Sequence, residues 1–359
     1  MSQAEAVPPP GAPGARFLAE IHEQPAALER LLAHEDEIAR AASLALERDR
    51  RLVRLVGHGS SDNAASFGIY AFGLLPRWTA MRDAITLSVH YGTPSDMRGS
   101  TVIGLSQSGQ TPDVVEYVAL ARAAGALTVA VSNDPASELA QAAEVTIPLC
   151  AEPEHAVAAT KTYVNTLAVL ALLAGHVAGR GAEVSDGIRR AADQLAAVLP
   201  SLEQATAGIA LPFSYTGRMF VIGRGVEFAT AREIALKLLE TCRIAAEPLT
   251  ATDLAHGPVA ALDPLFPVWA IASPDGTLAP VQEAASRTRA MGATLVASGT
   301  AASELEGAAY TIPVPAPTPQ LLSPLLSVVP GQLFACALSR ARGFDPDAPR
   351  GLAKVTLAR

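Results

Sequence analysis

Cysteine is scarce in this sequence. Three residues, Cys150, Cys242 and Cys336, are scattered over 359 positions. They are odd in number and form no C-x-x-C pair, which excludes a disulfide framework and leaves no zinc-finger spacing; no metal is expected. They read as small buried hydrophobes in a reducing, cytoplasmic setting. Charge is sparse too: 17% of residues are Asp, Glu, Lys or Arg, and they sum to -8. Without a broad basic field, nucleic acid and anionic membrane surfaces are excluded as partners, and any anionic ligand must be captured locally. No apolar run reaches the roughly 20 residues of a membrane helix. Leu167 to Ala178 comes nearest, is interrupted by Gly175 and His176, and reads as a buried core helix. Residues 1–16, rich in Pro, Ala and Gly, lack the cationic start and apolar core of a signal peptide and are expected to form a flexible tail.

What is present is apolar. Half of the chain is hydrophobic, enough for two cores of ordinary domain size. Apolar runs end in small polar turns and are followed by helical patterns, as in a parallel α/β sheet flanked by helices. Leu52 to Val56 leads into Gly57-His58-Gly59-Ser60-Ser61, and Ser100 to Leu105 leads into Ser106-Gln107-Ser108-Gly109-Gln110-Thr111. A third strand, Leu127 to Ser132, follows an amphipathic stretch from Asp113 to Ala124 that stops at Gly125. The two halves of the chain also resemble each other. Val56-Gly57-His58-Gly59 matches Ile222-Gly223-Arg224-Gly225, and Arg122-Ala123-Ala124-Gly125-Ala126 matches Arg289-Ala290-Met291-Gly292-Ala293, at nearly one offset. Gly179 to Pro200, helical by pattern and expected to end near Pro200, connects the halves.

The segment from Ser106 to Thr111 places hydroxyls, amides and a glycine between a strand and a helix opening on Pro112, where free N–H groups and the helix dipole favour an anion such as phosphate. A capped helix start without ligand would use the same residue types. Opposite it in the second half stands Ser273-Pro274-Asp275-Gly276, where a donor is lost and a negative charge gained, so one phosphate per chain is expected. Gly57-x-Gly59 lacks the third glycine of a dinucleotide loop, and no cofactor is expected. Ser60 and Ser61 end a strand and can share a pocket with the Ser106 loop. Lys237 and Glu240, three apart, project from one helix face, as a surface ion pair also would. His256, in Leu254-Ala255-His256-Gly257-Pro258, lies in a turn and can exchange protons near neutrality. Lys354, close to the C-terminus, is by itself a solvated charge.

Together these residues resemble the double-SIS (sugar isomerase) family, in particular the isomerase half of glucosamine-6-phosphate synthase. The resemblance runs from Phe17 onward, through Glu20-Ile21-His22-Glu23-Gln24-Pro25, the Ser106 loop, Ala158-Ala159-Thr160-Lys161, Ala235-Leu236-Lys237-Leu238-Leu239-Glu240, His256-Gly257-Pro258 and Pro349-Arg350-Gly351-Leu352-Ala353-Lys354. It implies two tandem SIS domains of flavodoxin-like three-layer form, at 17–190 and 200–340, with 341–359 closing over the site. It further implies that Ser106, Gln107, Ser108 and Thr111 hold a sugar phosphate while Ser60 and Ser61 line the sugar. Glu240 would carry a proton between C1 and C2 with Lys237 in support, His256 would reach across a homodimer to assist ring opening, and Lys354 would engage the open-chain carbonyl.

Two departures refine the expectation. The synthase begins with a glutaminase domain, for which this chain has Ser2 and no room. Its Ala-Ser-Thr-Lys is here Ala158-Ala159-Thr160-Lys161, closer to the stand-alone deaminases that convert glucosamine-6-phosphate to fructose-6-phosphate and ammonia. A fructosamine-6-phosphate deglycase or another phosphosugar isomerase is the near alternative. A non-catalytic phosphosugar sensor is the distant one, since it has no need of Lys237, Glu240, His256 and Lys354 together.

Overall fold

A computed structural model describes residues 11–93 and 95–354. Residues 1–10 and 355–359, which carry parts of both expected tails, lie outside the described residues, as does Pro94. Two five-stranded sheets, parallel throughout, form the frame. The first comprises β1 (Leu52–Val56), β2 (Thr79–Arg82), β3 (Ser100–Leu105), β4 (Leu127–Ser132) and β5 (Val145–Pro148), in the order β2-β1-β3-β4-β5. The second comprises β6 (Arg218–Gly223), β7 (Ala245–Thr250), β8 (Pro267–Ile271), β9 (Thr294–Gly299) and β10 (Tyr310–Pro313), in the order β7-β6-β8-β9-β10. The identical winding agrees with the internal similarity of the sequence. In each sheet the chain reverses its direction of winding between the first and third strands, where ligands of open α/β sheets bind.

The strands β3 and β4 are buried along their full length, which is why they read as continuous apolar runs rather than as alternating ones. The most apolar helix, Lys161–Val177, packs among its neighbouring helices with almost all of its residues buried. Contrary to the sequence expectation that no run is long enough, Gln320–Ala341 is, among the described residues, long and apolar enough to cross a membrane, but 94% of its apolar window is buried inside the fold.

Two expectations need correcting. The connecting helix runs from Gly181 to Ala210 with Pro200 inside it, instead of stopping there. Its buried stripe continues past the proline through Leu202, Thr206 and Ala210, and that packing outweighs the lost backbone bond. The expected N-terminal tail also does not extend to residue 16, because Ala15–His22 is helical and its start is tied down. The backbone N–H of Gly14 donates to Asp345 at 2.8 Å, that of Phe17 to Asp347 at 2.7 Å, and Arg340 donates to Pro13 O at 2.7 Å.

Candidate active site

The Ser106 loop follows β3 and ends at the helix Pro112–Ala123, for which Thr111 is the N-cap residue and Pro112 the first turn. Ser106 Oγ lies 3.0 Å from Thr111 Oγ1 and accepts from the N–H of Gly109 at 3.1 Å, while Ser108 Oγ accepts from the N–H of Gln110 at 3.3 Å. Among the described residues, the N–H groups of Gln107, Ser108 and Thr111 have no acceptor. The loop can close this tightly because Gly109 takes φ +65°. A Cβ there would collide with Ser137.

Beside it, β1 ends in the turn 57–61 and the helix Ser60–Leu74 begins. A Cβ on Gly57 would come within 2.9 Å of Leu105 O, so the two strand ends are in close contact. The turn also reaches the helix beneath the Ser106 loop, with His58 Nε2 at 2.7 Å from Asp113 Oδ2. On its other side, Ser60 Oγ donates to Glu233 Oε1 at 2.9 Å and lies 3.3 Å from Lys237 Nζ. The turn therefore bridges the hydroxyl loop and the charged groups of the helix Glu227–Cys242. Ser61 lies at the start of the Ser60 helix, partly exposed.

The charged cluster is built on one helix face. Lys237 Nζ is 2.7 Å from Glu240 Oε2 and 3.3 Å from Glu233 Oε1, with the side chains of Lys237 and Glu233 fully buried and that of Glu240 21% exposed. Burial alone would lower the Lys237 pKa, but Glu233 and Glu240 outweigh it and hold it above the ordinary lysine value. Burial pushes Glu233 above the usual carboxylate range, opposed by Lys237 and by the hydrogen bond from Asn63. Glu240 is thus a carboxylate open to solvent on one side and fixed by a buried ammonium on the other. It also walls a cavity of about 440 Å³ between its helix and the segment 344–352, shared with Arg243, Phe344, Arg350 and Leu352.

Lys354 is not joined to that cluster. It donates to Glu154 Oε2 at 2.7 Å and to Ala156 O at 2.6 Å, in the loop that carries Ala159. Burial raises the Glu154 pKa, yet Lys354 and the Thr160 N–H bring it below the ordinary value. The same loop is held from the N-terminal helix by Glu20, which accepts from the N–H groups of His155 and Ala156. Burial raises Glu20 to about 7. His256 caps the helix Ala251–Ala255, exposed, and its ring has no hydrogen-bond partner among the described residues. Glu233, Asn63 and Glu154 escaped the sequence reading, and Glu20 entered it only within the motif Glu20 to Pro25, with no role of its own. Glu233 had a signal, standing four before Lys237 on the same helix face.

The second half has filled its equivalent position. Ser273, opposite Ser106 in the sequence, donates to Glu227 Oε1 at 2.8 Å, joined by Ser327 at 2.9 Å, while Thr230 donates to Oε2 at 2.7 Å. Asp275 turns back on its own loop to accept from Thr277 N at 2.7 Å. No group of three or more His, Cys, Asp or Glu side chains able to hold a metal occurs among the described residues.

The family model described as SIS domain matches residues 46–175 and 213–340. A glutamine–fructose-6-phosphate aminotransferase (isomerizing) of Gloeobacter violaceus is 35% identical over 94% of this chain and 58% of its own length. One of Pyrococcus horikoshii is 33% identical over 94% of this chain and 57% of its own length. The chain thus spans somewhat over half the length of these relatives. Among solved structures, a protein of Silicibacter pomeroyi DSS-3, described provisionally as a phosphosugar isomerase, superposes with a TM-score of 0.81 at 32% identity, covering 92% of this chain and 99% of that one. A glucosamine-6-phosphate deaminase of Thermotoga maritima shares the fold at 21% identity and a TM-score of 0.71, over 92% of this chain and 99% of that one.

Proposed function

The chain belongs to the SIS-domain family, and on that premise we propose that it is a phosphosugar isomerase that releases ammonia, turning glucosamine-6-phosphate into fructose-6-phosphate. The observation that carries the reading is the contact chain from the hydroxyl loop through Ser60 to Lys237 and Glu240. It supplies an anion site and a proton-transfer carboxylate on one wall. Ser106, Gln107, Ser108 and Thr111, with the free N–H groups of their loop, hold the phosphate, and Ser60 and Ser61 line the sugar. In the open-chain substrate Glu240 takes the C2 proton and returns it to C1. O1 gains a proton as the C2 amine loses one, giving a C2 imine. Water adds to the imine and ammonia leaves. Negative charge building on O1 is met by Lys237 or by Lys354 at the Glu154 loop. His256, exposed and without a hydrogen-bond partner among the described residues, assists ring opening in a neighbouring subunit of a homodimer.

The replacement of a hydroxyl at Ala159 favours deamination. A deglycase acting on a fructosamine-6-phosphate is the second reading, favoured by the cavity beside Glu240, which has room for a substituent on the amine. Purified protein is incubated with glucosamine-6-phosphate, and with fructosamine-6-phosphates, while ammonia and sugar products are assayed. Turnover no higher than that of a Glu240→Gln control rejects the enzyme reading. Release of a substituted amine with no action on glucosamine-6-phosphate favours the deglycase.

A further inference from the structure

The hydroxyl loop lacks a cation. A bound sugar phosphate carries up to two negative charges, yet no lysine or arginine side chain donates to residues 106–111 among the described residues. All three lysines are committed elsewhere, Lys161 to Glu23, Lys237 to Glu233 and Glu240, and Lys354 to Glu154. The surroundings even add negative charge. Asp113 lies two residues beyond Thr111, its side chain is 9% exposed, and its Oδ1 is buried without a hydrogen-bond partner among the described residues. One ionisable base reaches it: His58, whose Nε2 stands 2.7 Å from Oδ2 and whose side chain is 56% exposed.

Other charged groups around the turn are already paired or face water. Asp62 on the Ser60 helix is held by Arg82 and Arg232 at 2.7 Å each, and Asp83 beyond β2 by Arg54 and Tyr117 at 2.5 Å each. Glu233, Lys237 and Glu240 compensate one another. Glu116 on the Pro112 helix is exposed.

We propose that His58, held on Asp113, is the positioning residue that supplies the positive charge for the substrate's phosphate, so that phosphate binding takes up a proton. Protonated, the imidazole cancels the charge of Asp113 through its Nε2–H and keeps Nδ1–H as a donor for the incoming anion. Deprotonated, it leaves the carboxylate bare beside the incoming anion. This rests on the phosphate reading of the Ser106 loop given above.

The test is calorimetric titration with fructose-6-phosphate at pH 6 and pH 8.5, in buffers of different ionisation enthalpy, on the wild type, His58→Gln and His58→Arg. The phosphate's own second ionisation acts equally on all three and cancels in the comparison. The wild type is expected to lose about tenfold more affinity than His58→Arg between the two pH values, as befits one charge-assisted contact, and to take up an additional fraction of a proton. His58→Gln should bind weakly at both, and His58→Arg tightly at both. A His58→Gln protein that follows the wild-type affinity and proton uptake overturns the inference while the phosphate site stands. Wild-type protein that binds no fructose-6-phosphate at either pH overturns the phosphate reading and the inference with it.

Discussion

Lys237 holds an ammonium at 0% exposure between two carboxylates, and removing it leaves Glu233 and Glu240 as uncompensated charges, one of them fully buried. Lys237→Met is therefore expected to cost about 3–5 kcal/mol of stability, measured by urea denaturation, as is usual when one partner of a buried ion pair is lost. A cost under about 1 kcal/mol would mean that the cluster is not compensated as described. Because the folded pKa of Lys237 is raised, its contribution is fully present below the unfolded lysine value near 10.4 and disappears as pH rises through the folded one. Glu20 behaves in the opposite sense to a salt-bridged carboxylate. Its folded pKa of about 7 lies above the unfolded value, so the folded state binds the extra proton and stability falls as pH rises from about 4.5 to about 7. Glu20→Gln should remove that slope, a difference of about 3 kcal/mol across the window. Parallel stability–pH curves for the two proteins would contradict it.

At the scale of elements, the strand ends were legible because a buried parallel strand is a continuous apolar run that stops where the backbone needs small residues. The bounds of β1, β3 and β4 coincide with the apolar runs themselves. Gly109 shows how closely the loop is specified: its φ is +65° and a side chain would strike Ser137. Gly109→Ala is expected to weaken fructose-6-phosphate binding more than tenfold, with a lower melting temperature, since both strain and collision act on one turn. Unchanged affinity by calorimetry would argue against a phosphate in that loop. What the sequence concealed were pairings between distant segments. Lys354 meets Glu154 across 200 residues, and Glu20 meets the 155–156 backbone across 135 or more. No periodicity encodes such contacts; they arise only when the sheets are assembled. Pro200 misled for a related reason, because tertiary packing of the later turns overrides a local breaker.

Across the whole molecule, duplication followed by divergence explains why two similar sheets serve unlike purposes. In the second half a carboxylate, Glu227, takes the hydroxyls of Ser273, Ser327 and Thr230, and the helix that starts there carries Glu233, Lys237 and Glu240 towards the first half's loop. On the proposed reading, the first half would bind the phosphate and the second half would present the catalytic helix. His256 is the remaining member of the proposed set, and it sits exposed at the end of its helix, while the ion pairs of the Lys237 cluster among the described residues are with Glu233 and Glu240. If it acts in a neighbouring site, each active site needs Glu240 from one chain and His256 from another. Neither His256→Ala nor Glu240→Gln homodimers should turn over substrate at more than a few per cent of the wild-type rate. In a dissociated and reassociated equimolar mixture, half of the dimers are hybrids, and each hybrid holds one site with both residues intact and one with neither. About a quarter of wild-type activity should then return, by the arithmetic of random pairing of two chains. Activity that stays at the level of the parent variants, in a mixture shown by mass to contain hybrids, would assign His256 to its own chain's site or to none.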